Sequence, residues 1–192
     1  MRVGTKSVLF GAHCFLIHPW FVAWSWWKLY GFPWDPRLWV AFFVHDLGYI
    51  GKPNMDGPEG EQHPWLGAHI MSFLFDFWST KHPFRWRDFV LYHSRYWAKK
   101  EGKPFSKLCV ADKLAVCMEP FWLYYIRARA SGEIFEYFEN ARKSESGHFK
   151  AGNYTVDSAR EWREALVDYM LKWVDAHKDG AEDTWTKVRH AS

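Results

Sequence analysis

The stretch Trp39-Val-Ala-Phe-Phe-Val-His-Asp-Leu-Gly48 determines how this chain is interpreted. An apolar run of helical length ends in an adjacent imidazole and carboxylate, His45 and Asp46, and Gly48 follows at once. A carboxylate at the buried end of a helix is costly unless a cation or strong donors balance its charge. Because imidazole together with carboxylate suits iron, manganese, zinc or nickel, the pair predicts a metal site. Taken alone, the pair is also compatible with an ordinary capped helix end.

The rest of the chain divides at Gly, Pro and Ser into segments of helical length, and no segment alternates for long with period two. Asp35 is expected to cap the second helix, with Pro36 at its first position, and Pro120 is expected to kink the fifth. The sequence predicts an all-α single domain of about seven helices, with its motifs in residues 12–118 and a helical C-terminal extension over residues 119–192. The expected helices are Trp20–Tyr30, Arg37–Leu47, Pro64–Trp78, Phe84–Lys99, Phe105–Arg129, Glu133–Lys143 and Val156–Lys178.

Composition excludes several classes of protein. The 192 residues are 48% hydrophobic and 24% charged, which excludes wholesale disorder. A net charge of +3 is too small to indicate a stable nucleic acid partner. The three cysteines form no paired framework, so free thiols and a cytoplasmic location are expected.

The segment Val8–Trp27 lacks Asp, Glu, Lys and Arg, and its length is that of a membrane span. His13 and His18 lie inside it, and Pro19 interrupts it near the middle. Because polar groups are costly inside a bilayer, a buried helix is preferred and no membrane partner is expected.

Four further residues extend the metal prediction beyond His45 and Asp46. Each could ligate a metal and lies at the end of a predicted helix or in an apolar stretch, and they are His18, His63, His93 and Asp112. Asp112 is flanked by Val, Ala, Leu and Cys, where an unpaired charge is costly. The six residues come from five separate helices, so the fold must bring them together.

This order of residues resembles the HD-domain superfamily of metal-dependent phosphohydrolases, over about residues 12–116. His45-Asp46 followed by Leu47-Gly48 is similar to the pair that names the family. The segment from His63 through Gly67 to Ile70-Met71 is similar to a motif of the HD-GYP branch, and Val110-Ala-Asp-Lys-Leu114 is similar to the closing motif. The resemblance implies an HD-like helical bundle.

The chain also departs from the family pattern. Tyr49 follows Gly48 where the family often has Lys, and no acidic residue stands three positions after Asp46. A single His93 is followed by Ser94 where the HD-GYP type has paired histidines, and the tripeptide Gly-Tyr-Pro is missing. These differences argue against a cyclic dinucleotide phosphodiesterase and against a trinuclear site.

The resemblance implies two divalent metal ions, drawn from Fe, Mn, Ni, Co or Zn. Asp46 would bridge them; the ligands of one ion would be completed by His18, His45 and Asp112, and those of the other by His63 and His93. Two such ions polarise phosphoryl oxygens and activate a water molecule. Asp46 and Lys52 are then the expected catalytic residues. The cations expected to bind substrate are Lys52, Arg95 and Lys113, each of which could equally be an ordinary surface cation.

Three functions remain open from the sequence. The first is hydrolysis of a phosphoester or phosphoanhydride in a small nucleotide-like substrate. The second is mixed-valence di-iron oxygenation of an organophosphonate or polyol, since that part of the superfamily uses the same four His and two Asp. The third is non-catalytic nucleotide binding or scaffolding. A homo-oligomer is compatible with all three.

The remaining histidines and the aromatic residues receive simpler interpretations. His13 is an alternative to His18 as the first ligand, and His69 is expected on another helical face than His63. Surface positions are expected for His82, His148, His177 and His190. Aromatic residues make up 20% of the chain, and the Trp-rich helix is expected to pack into the core around the metal site.

Overall fold

The architecture is helical throughout the residues that the structure describes. The computed structural model describes residues 1–76, 85–143 and 154–185. Within these ranges the chain forms α-helices, short 3-10 turns and one π-helical turn, and it contains no β-strand. The predicted all-α fold class is therefore confirmed.

Ten α-helices are present in the described ranges. They are α1 (Val3–Phe10), α2 (His18–Tyr30), α3 (Pro36–Val44), α4 (Pro64–Met71), α5 (Trp86–Leu91), α6 (Arg95–Lys100), α7 (Lys107–Met118), α8 (Phe121–Ser131), α9 (Glu133–Lys143) and α10 (Val156–His177). The 3-10 turns are Leu47–Tyr49 and Gly60–Gln62, and the π-helical turn is Ser72–Asp76. The predicted helix ends at Trp78 and Phe84 lie outside the described residues.

The helix count exceeds the expected seven for local reasons. The helix α1 was not predicted, and the segment Phe105–Arg129 is two helices rather than one kinked helix. Pro120 has no N–H and disfavours helical geometry in the residue before it, and Glu119 is accordingly extended at ψ 126°. Between α5 and α6, Ser94 is also extended, and its side chain caps the backbone N–H of Trp97.

The main core is formed where α2 packs against α7 and α4 packs against α5, with α3 contacting both α2 and α4. Its most deeply buried side chains, each fully shielded from solvent, are Val22, Phe42, Met71, Val90 and Leu108. The helix α10 packs on another side of α7, where Trp173 contacts the cluster around Cys109. This arrangement holds the predicted ligand-bearing helices together at one end.

The C-terminal helices form a second apolar cluster. Tyr124, Ile134, Phe138 and Trp162 are buried together with Ala12, which precedes α2. The helix α1 packs on α8 and α9. The C-terminal extension therefore contacts the N-terminal segment directly.

The N-terminal apolar stretch is interrupted between α1 and α2, and no described helix is both long and apolar enough to cross a membrane. The prediction that the Trp-rich helix packs into the core was wrong in part. Of the four tryptophans on α2 only Trp26 is buried, because it shares the side of the helix that packs into the main core with Val22. The other three, Trp20, Trp24 and Trp27, are exposed. Because residues 18–27 contain no charged side chain, the sequence could not distinguish the two sides.

His177 was wrongly predicted at the surface. It is only 2% exposed, and its ring stacks on Trp173 at 4.4 Å between centroids. The last turn of α10 is buried next to Phe105, so a residue near a polar chain end lies inside the protein.

Candidate metal centre

Two of the predicted ligands are placed by the starts of helices. His18 is the first residue of α2, and His63 is the N-cap residue of α4. Each is followed immediately by proline, Pro19 or Pro64, in the first helical turn. Proline suits this position because its fixed φ fits the helix and the first N–H groups have no intrahelical partner. Both imidazoles therefore stand at rigid helix starts.

The His-Asp pair stands at the end of a helix, as predicted. His45 is the C-cap residue of α3, and Asp46 leads into the following 3-10 turn. Two glycines permit α4 to approach this corner closely. A Cβ atom on Gly48 would lie 1.9 Å from the carbonyl oxygen of His63, and one on Gly67 would lie 2.5 Å from that of Val44. Any larger residue at either position would push His63 away from the pair.

The remaining two ligands come from the other side of the core. His93 follows α5, and Asp112 lies in the middle of α7. The structure brings all six predicted residues together, and they are between 1% and 8% exposed. Their candidate ligand atoms fall into two sets, each with its atoms within 4.8 Å of one another: His18, His45, Asp46 and Asp112, and Asp46, His63 and His93.

Asp46 belongs to both sets, and its two oxygens face opposite ways. Its Oδ2 atom lies 3.2 Å from Nε2 of His45 and 3.5 Å from Nε2 of His18. Its Oδ1 atom lies 3.5 Å from Nε2 of His93 and 3.7 Å from Nε2 of His63. Asp112 completes the first set, with Oδ1 at 3.0 Å from Nε2 of His18. One carboxylate thus connects two groups of ligands.

Backbone carbonyls fix the orientation of three imidazoles. The Nδ1 atom of His45 lies 2.9 Å from the carbonyl oxygen of Phe42, and that of His63 lies 2.9 Å from the carbonyl oxygen of Gly60. The Nδ1 atom of His93 makes the same kind of contact three residues back along the chain. When Nδ1–H donates to a carbonyl, Nε2 is left with a lone pair directed at the centre. This is the tautomer that a metal ligand requires.

The centre contains polar atoms that the protein does not satisfy. The Nε2 atom of His45 and the Oδ2 atom of Asp46 are buried without a hydrogen bond. Nε2 of His63 lies 3.1 Å from Nε2 of His93, although both rings use Nδ1 toward carbonyls. Such atoms are rare in folded proteins because burial without a partner is costly. Divalent cations would satisfy all of them, so four imidazoles and two carboxylates fit a metal site with nitrogen and oxygen ligands.

The ionisation of the centre follows from burial and from its own charges. Burial alone would raise the pKa of Asp46, but the His45 charge holds it well below its ordinary value. Burial lowers the pKa of His45, but Asp46 and Asp112 raise it overall to about 10. Burial and the neighbouring His93 keep the pKa of His63 well below its ordinary value. The pKa of Asp112 is also well below its ordinary value, so Asp46 and Asp112 are both charged. His63 is neutral and available as a ligand.

The three cations predicted to bind substrate lie in different surroundings. The ammonium of Lys113 lies 2.8 Å from Oδ2 of Asp112, at the edge of the first set. Lys52 donates to Gln62 at 3.4 Å, and Arg95 packs over the ring of Trp173 on α10. Lys113 is therefore the cation in direct contact with a candidate ligand, and the roles of Lys52 and Arg95 stay predictions.

Two residues near the centre were not recognised from the sequence. The ring of Tyr49 stacks on His63 at 4.1 Å, which fixes the plane of that imidazole. Glu133 on α9 lies 3.3 Å from Nδ1 of His13, which belongs to neither ligand set but lines the cavity beside the first one. Tyr49 was noted only as a departure from the family pattern. Nothing in the local sequence around Glu133 signals a position beside the centre.

His69 lies outside both ligand sets. His69 is exposed and contacts Trp65 at 5.7 Å, in agreement with the prediction that it points elsewhere. His82, His148 and His190 lie outside the described residues.

A small cavity leads to the first ligand set. It is lined on one side by the polar residues His13, His18, His45 and Asp46, and on the other by apolar side chains, mainly Val8, Phe15, Pro19, Phe42, Phe43 and Leu47. Comparison of the chain with models of protein families, with curated proteins and with solved structures gives no match.

Proposed function

We propose that this protein is a metal-dependent phosphohydrolase that cleaves a phosphoester or phosphoanhydride in a small nucleotide-like substrate. The observation that supports it most strongly is Asp46, whose two oxygens face separate groups of imidazoles. A carboxylate in that position is suited to bridging two ions. The order of ligands along the chain is similar to that of the HD-domain superfamily, which gives the proposal its reaction class.

The chain would contribute orientation and charge to this reaction. Bound divalent ions would supply Lewis acidity and an activated water. The contacts between Nδ1 and backbone carbonyls would keep the Nε2 atoms of His45, His63 and His93 directed at the metal ions. Lys113 would keep Asp112 ionised and could donate to a phosphoryl oxygen.

The apolar wall of the cavity supports a site that is shielded from water. Phe15 and Phe43 contact each other at 5.4 Å and line the cavity beside the ligands. The free volume of the cavity is about 10 Å³, enough for one water molecule, so these rings would exclude bulk water from the reacting group.

The same apolar wall favours a second candidate, a mixed-valence di-iron oxygenase acting on an organophosphonate or polyol. Four imidazoles and two carboxylates match the ligand composition of that class. Neither Lys nor Arg is among the residues that line this cavity, which is also compatible with a substrate that carries less charge than a nucleotide. The two candidates differ in the metal they need and in whether dioxygen is consumed.

Metal content and turnover test the proposal together. Purified protein should hold about two metal ions per chain and should release phosphate or cleave a phosphodiester in a substrate panel with Mn, Ni or Co. Asp46→Ala should lose both metal and turnover, whereas His69→Ala, which changes an exposed histidine outside both sets, should keep them. Full metal content in Asp46→Ala would contradict the site, and intact turnover in Asp46→Ala would contradict the mechanism.

Oxygen uptake separates the two candidates. Iron-loaded protein that shows a mixed-valence electron paramagnetic resonance signal and consumes dioxygen with a phosphonate or polyol would establish the oxygenase. Phosphate release without oxygen uptake would establish the hydrolase. If metal binds but neither reaction occurs, a non-catalytic binding protein becomes the better description.

A further inference from the structure

An exposed aromatic surface covers one side of α2 and the loop after it. We call it the aromatic face; its side chains are between 38% and 84% exposed, and they are Phe15, Trp20, Trp24, Trp27, Phe32 and Trp34. Residues 20, 24 and 27 recur at helical spacing, so they share one side of α2. Single exposed apolar residues are normal, but a group of large rings on one surface indicates an interaction site.

The rings of this surface are connected rather than scattered. Trp27 lies 5.8 Å from Phe32, and Phe32 lies 6.4 Å from Trp39, measured between ring centroids. Trp39 in turn lies 5.9 Å from Trp20, and Trp20 lies 5.7 Å from Phe43. These contacts hold the exposed rings against partly buried ones, so the surface is continuous and supported from below.

The segment that carries the aromatic face has one cation and no carboxylate. Residues 11–34 contain Lys28 and neither Asp nor Glu. Asp35, which follows this segment, is paired with Arg37 at 2.7 Å. Lys28 is exposed, and its ammonium lies 5.2 Å from the ring centre of Trp24. The surface thus combines large rings with a positive charge, which is complementary to an anionic surface.

We propose that the aromatic face docks on the surface of an anionic lipid bilayer. The amphipathic indole ring prefers the boundary between water and lipid, where its apolar body is buried and its N–H stays hydrated. Positive side chains beside the rings are attracted to anionic headgroups. The protein would lie on the bilayer without crossing it.

Two other occupants fit the observations less well. A second copy of the chain would bury Lys28 of both copies in one apolar interface, where an unpaired charge is costly. A single-stranded nucleic acid would need several cations along its backbone path, whereas Arg37 is neutralised by Asp35 and Arg2 donates to the carbonyl of Gly51. An anionic bilayer needs only a diffuse positive charge around an apolar surface.

Docking would place the metal centre next to the bilayer. Phe15 belongs to the aromatic face and also lines the cavity that leads to His18 and His45. The mouth of the cavity would therefore open at the headgroup level. The docking proposal itself does not depend on which reaction the metal centre performs.

Vesicle binding tests the proposal without any activity measurement. Full-length protein should co-sediment with vesicles of phosphatidylcholine and phosphatidylglycerol more strongly than with vesicles of phosphatidylcholine alone. The double variant Trp24→Glu/Trp27→Glu should bind the anionic vesicles roughly tenfold or more weakly, because two negative charges replace exposed rings that the bilayer would bury. Trp34→Glu, at the most exposed ring, should weaken binding in the same direction. Lys28→Gln should reduce the preference for anionic vesicles.

The matched control is Trp122→Glu, which changes an exposed tryptophan on α8, outside the aromatic face. It should bind vesicles like the unchanged protein. The proposal is overturned if the unchanged protein does not bind anionic vesicles, or if Trp122→Glu loses binding equally. It is also overturned if sedimentation shows a dimer that Trp34→Glu dissociates, or if these variants lose binding to a single-stranded oligonucleotide instead.

Discussion

Two buried carboxylates, Asp46 and Glu133, show how differently this protein accommodates a charge in its interior. Glu133 is fully buried and receives hydrogen bonds of 2.6 Å from the hydroxyls of Ser7 and Ser131 and from the backbone N–H of Ala12. Asp46 is also buried, but its Oδ2 atom has no hydrogen bond and its neighbours are imidazole nitrogens. The first carboxylate is satisfied by the protein, and the second is arranged for a ligand from outside.

The electrostatics of the two groups support the same distinction. Burial raises the pKa of Glu133, but its contacts with His13 and the two serines lower it overall. Asp46 is held well below its ordinary pKa although burial opposes this, and the main opposing charge belongs to His45. The charge of Glu133 is thus stabilised first by His13 and then by two neutral hydroxyls, whereas that of Asp46 is stabilised by imidazoles, whose positive charge a bound metal ion would replace. The comparison teaches that the number of satisfied donors, rather than burial, marks the functional carboxylate.

Glu133→Ala should have the largest effect on stability. It removes the shared acceptor of the Ala12 N–H and of the Ser7 and Ser131 hydroxyls, and it removes the contact with His13. We therefore expect a loss of about 3 to 5 kcal/mol in the free energy of unfolding. Denaturant unfolding measures it. Glu139→Ala, at an exposed position on the same helix, should change stability by less than about 1 kcal/mol. Equal effects of the two variants would mean that Glu133 is not the structural carboxylate described above.

His63→Ala should lower the metal affinity of one of the two sites by about 100-fold or more. It removes a direct ligand, and even the loss of a residue that only hydrogen-bonds a ligand lowers metal affinity by about 10- to 100-fold. His63 belongs to the set that lacks Asp112, so the other set should keep its ion. Metal analysis after dialysis should therefore fall from about two ions to about one per chain. Glu133→Gln should keep both metal ions. A loss of metal in that variant would contradict the assignment of Glu133 as a structural carboxylate and Asp46 as a ligand.

Metal binding should release protons and strengthen as the pH rises. In the metal-free protein His45 has a pKa of about 10, so it carries a proton at pH 7 that an ion must displace. Below that pKa the apparent affinity should rise about tenfold per pH unit for each proton released. Calorimetric titration in two buffers of different ionisation enthalpy counts the protons. No proton release at pH 7 would show that His45 is not a ligand in its neutral form.

The smallest effect is expected on acid stability. Because the folded-state pKa of Glu133 is lowered, its contribution is fully present above the unfolded value of about 4.5 and is lost as the pH falls through the folded value. Glu133→Gln removes this contribution, so its unfolding free energy should fall less steeply with decreasing pH below 4.5 than that of the unchanged protein. Thermal or denaturant unfolding at several acid pH values measures the slope, which is compared with that of Glu139→Gln. Identical slopes for all three proteins would contradict the assignment.

The sequence predicted two members of the ligand set, Asp46 and Asp112, because each violates its local pattern, and the family resemblance added the others. His45-Asp46 ends an apolar run, and Asp112 interrupts another, so a charge in each place required a balancing group. The same reasoning failed for Glu133, since it follows Gly132 at a helix start where an exposed carboxylate is ordinary. Its donors lie more than 100 residues away at Ser7 and Ala12, and no local pattern reports such contacts.

By itself the sequence determined the all-α class, because helical spacing and Pro and Gly breaks are local properties of the chain. It also determined which six side chains could ligate a metal. Only the tertiary structure decided that Asp46 stands between two sets of ligands, because that depends on α4 approaching the end of α3 closely at Gly48 and Gly67. Only the tertiary structure decided which aromatic rings face solvent. An apolar side chain indicates that burial is favourable, but the packing of α2 against its neighbours decides which side of the helix is buried.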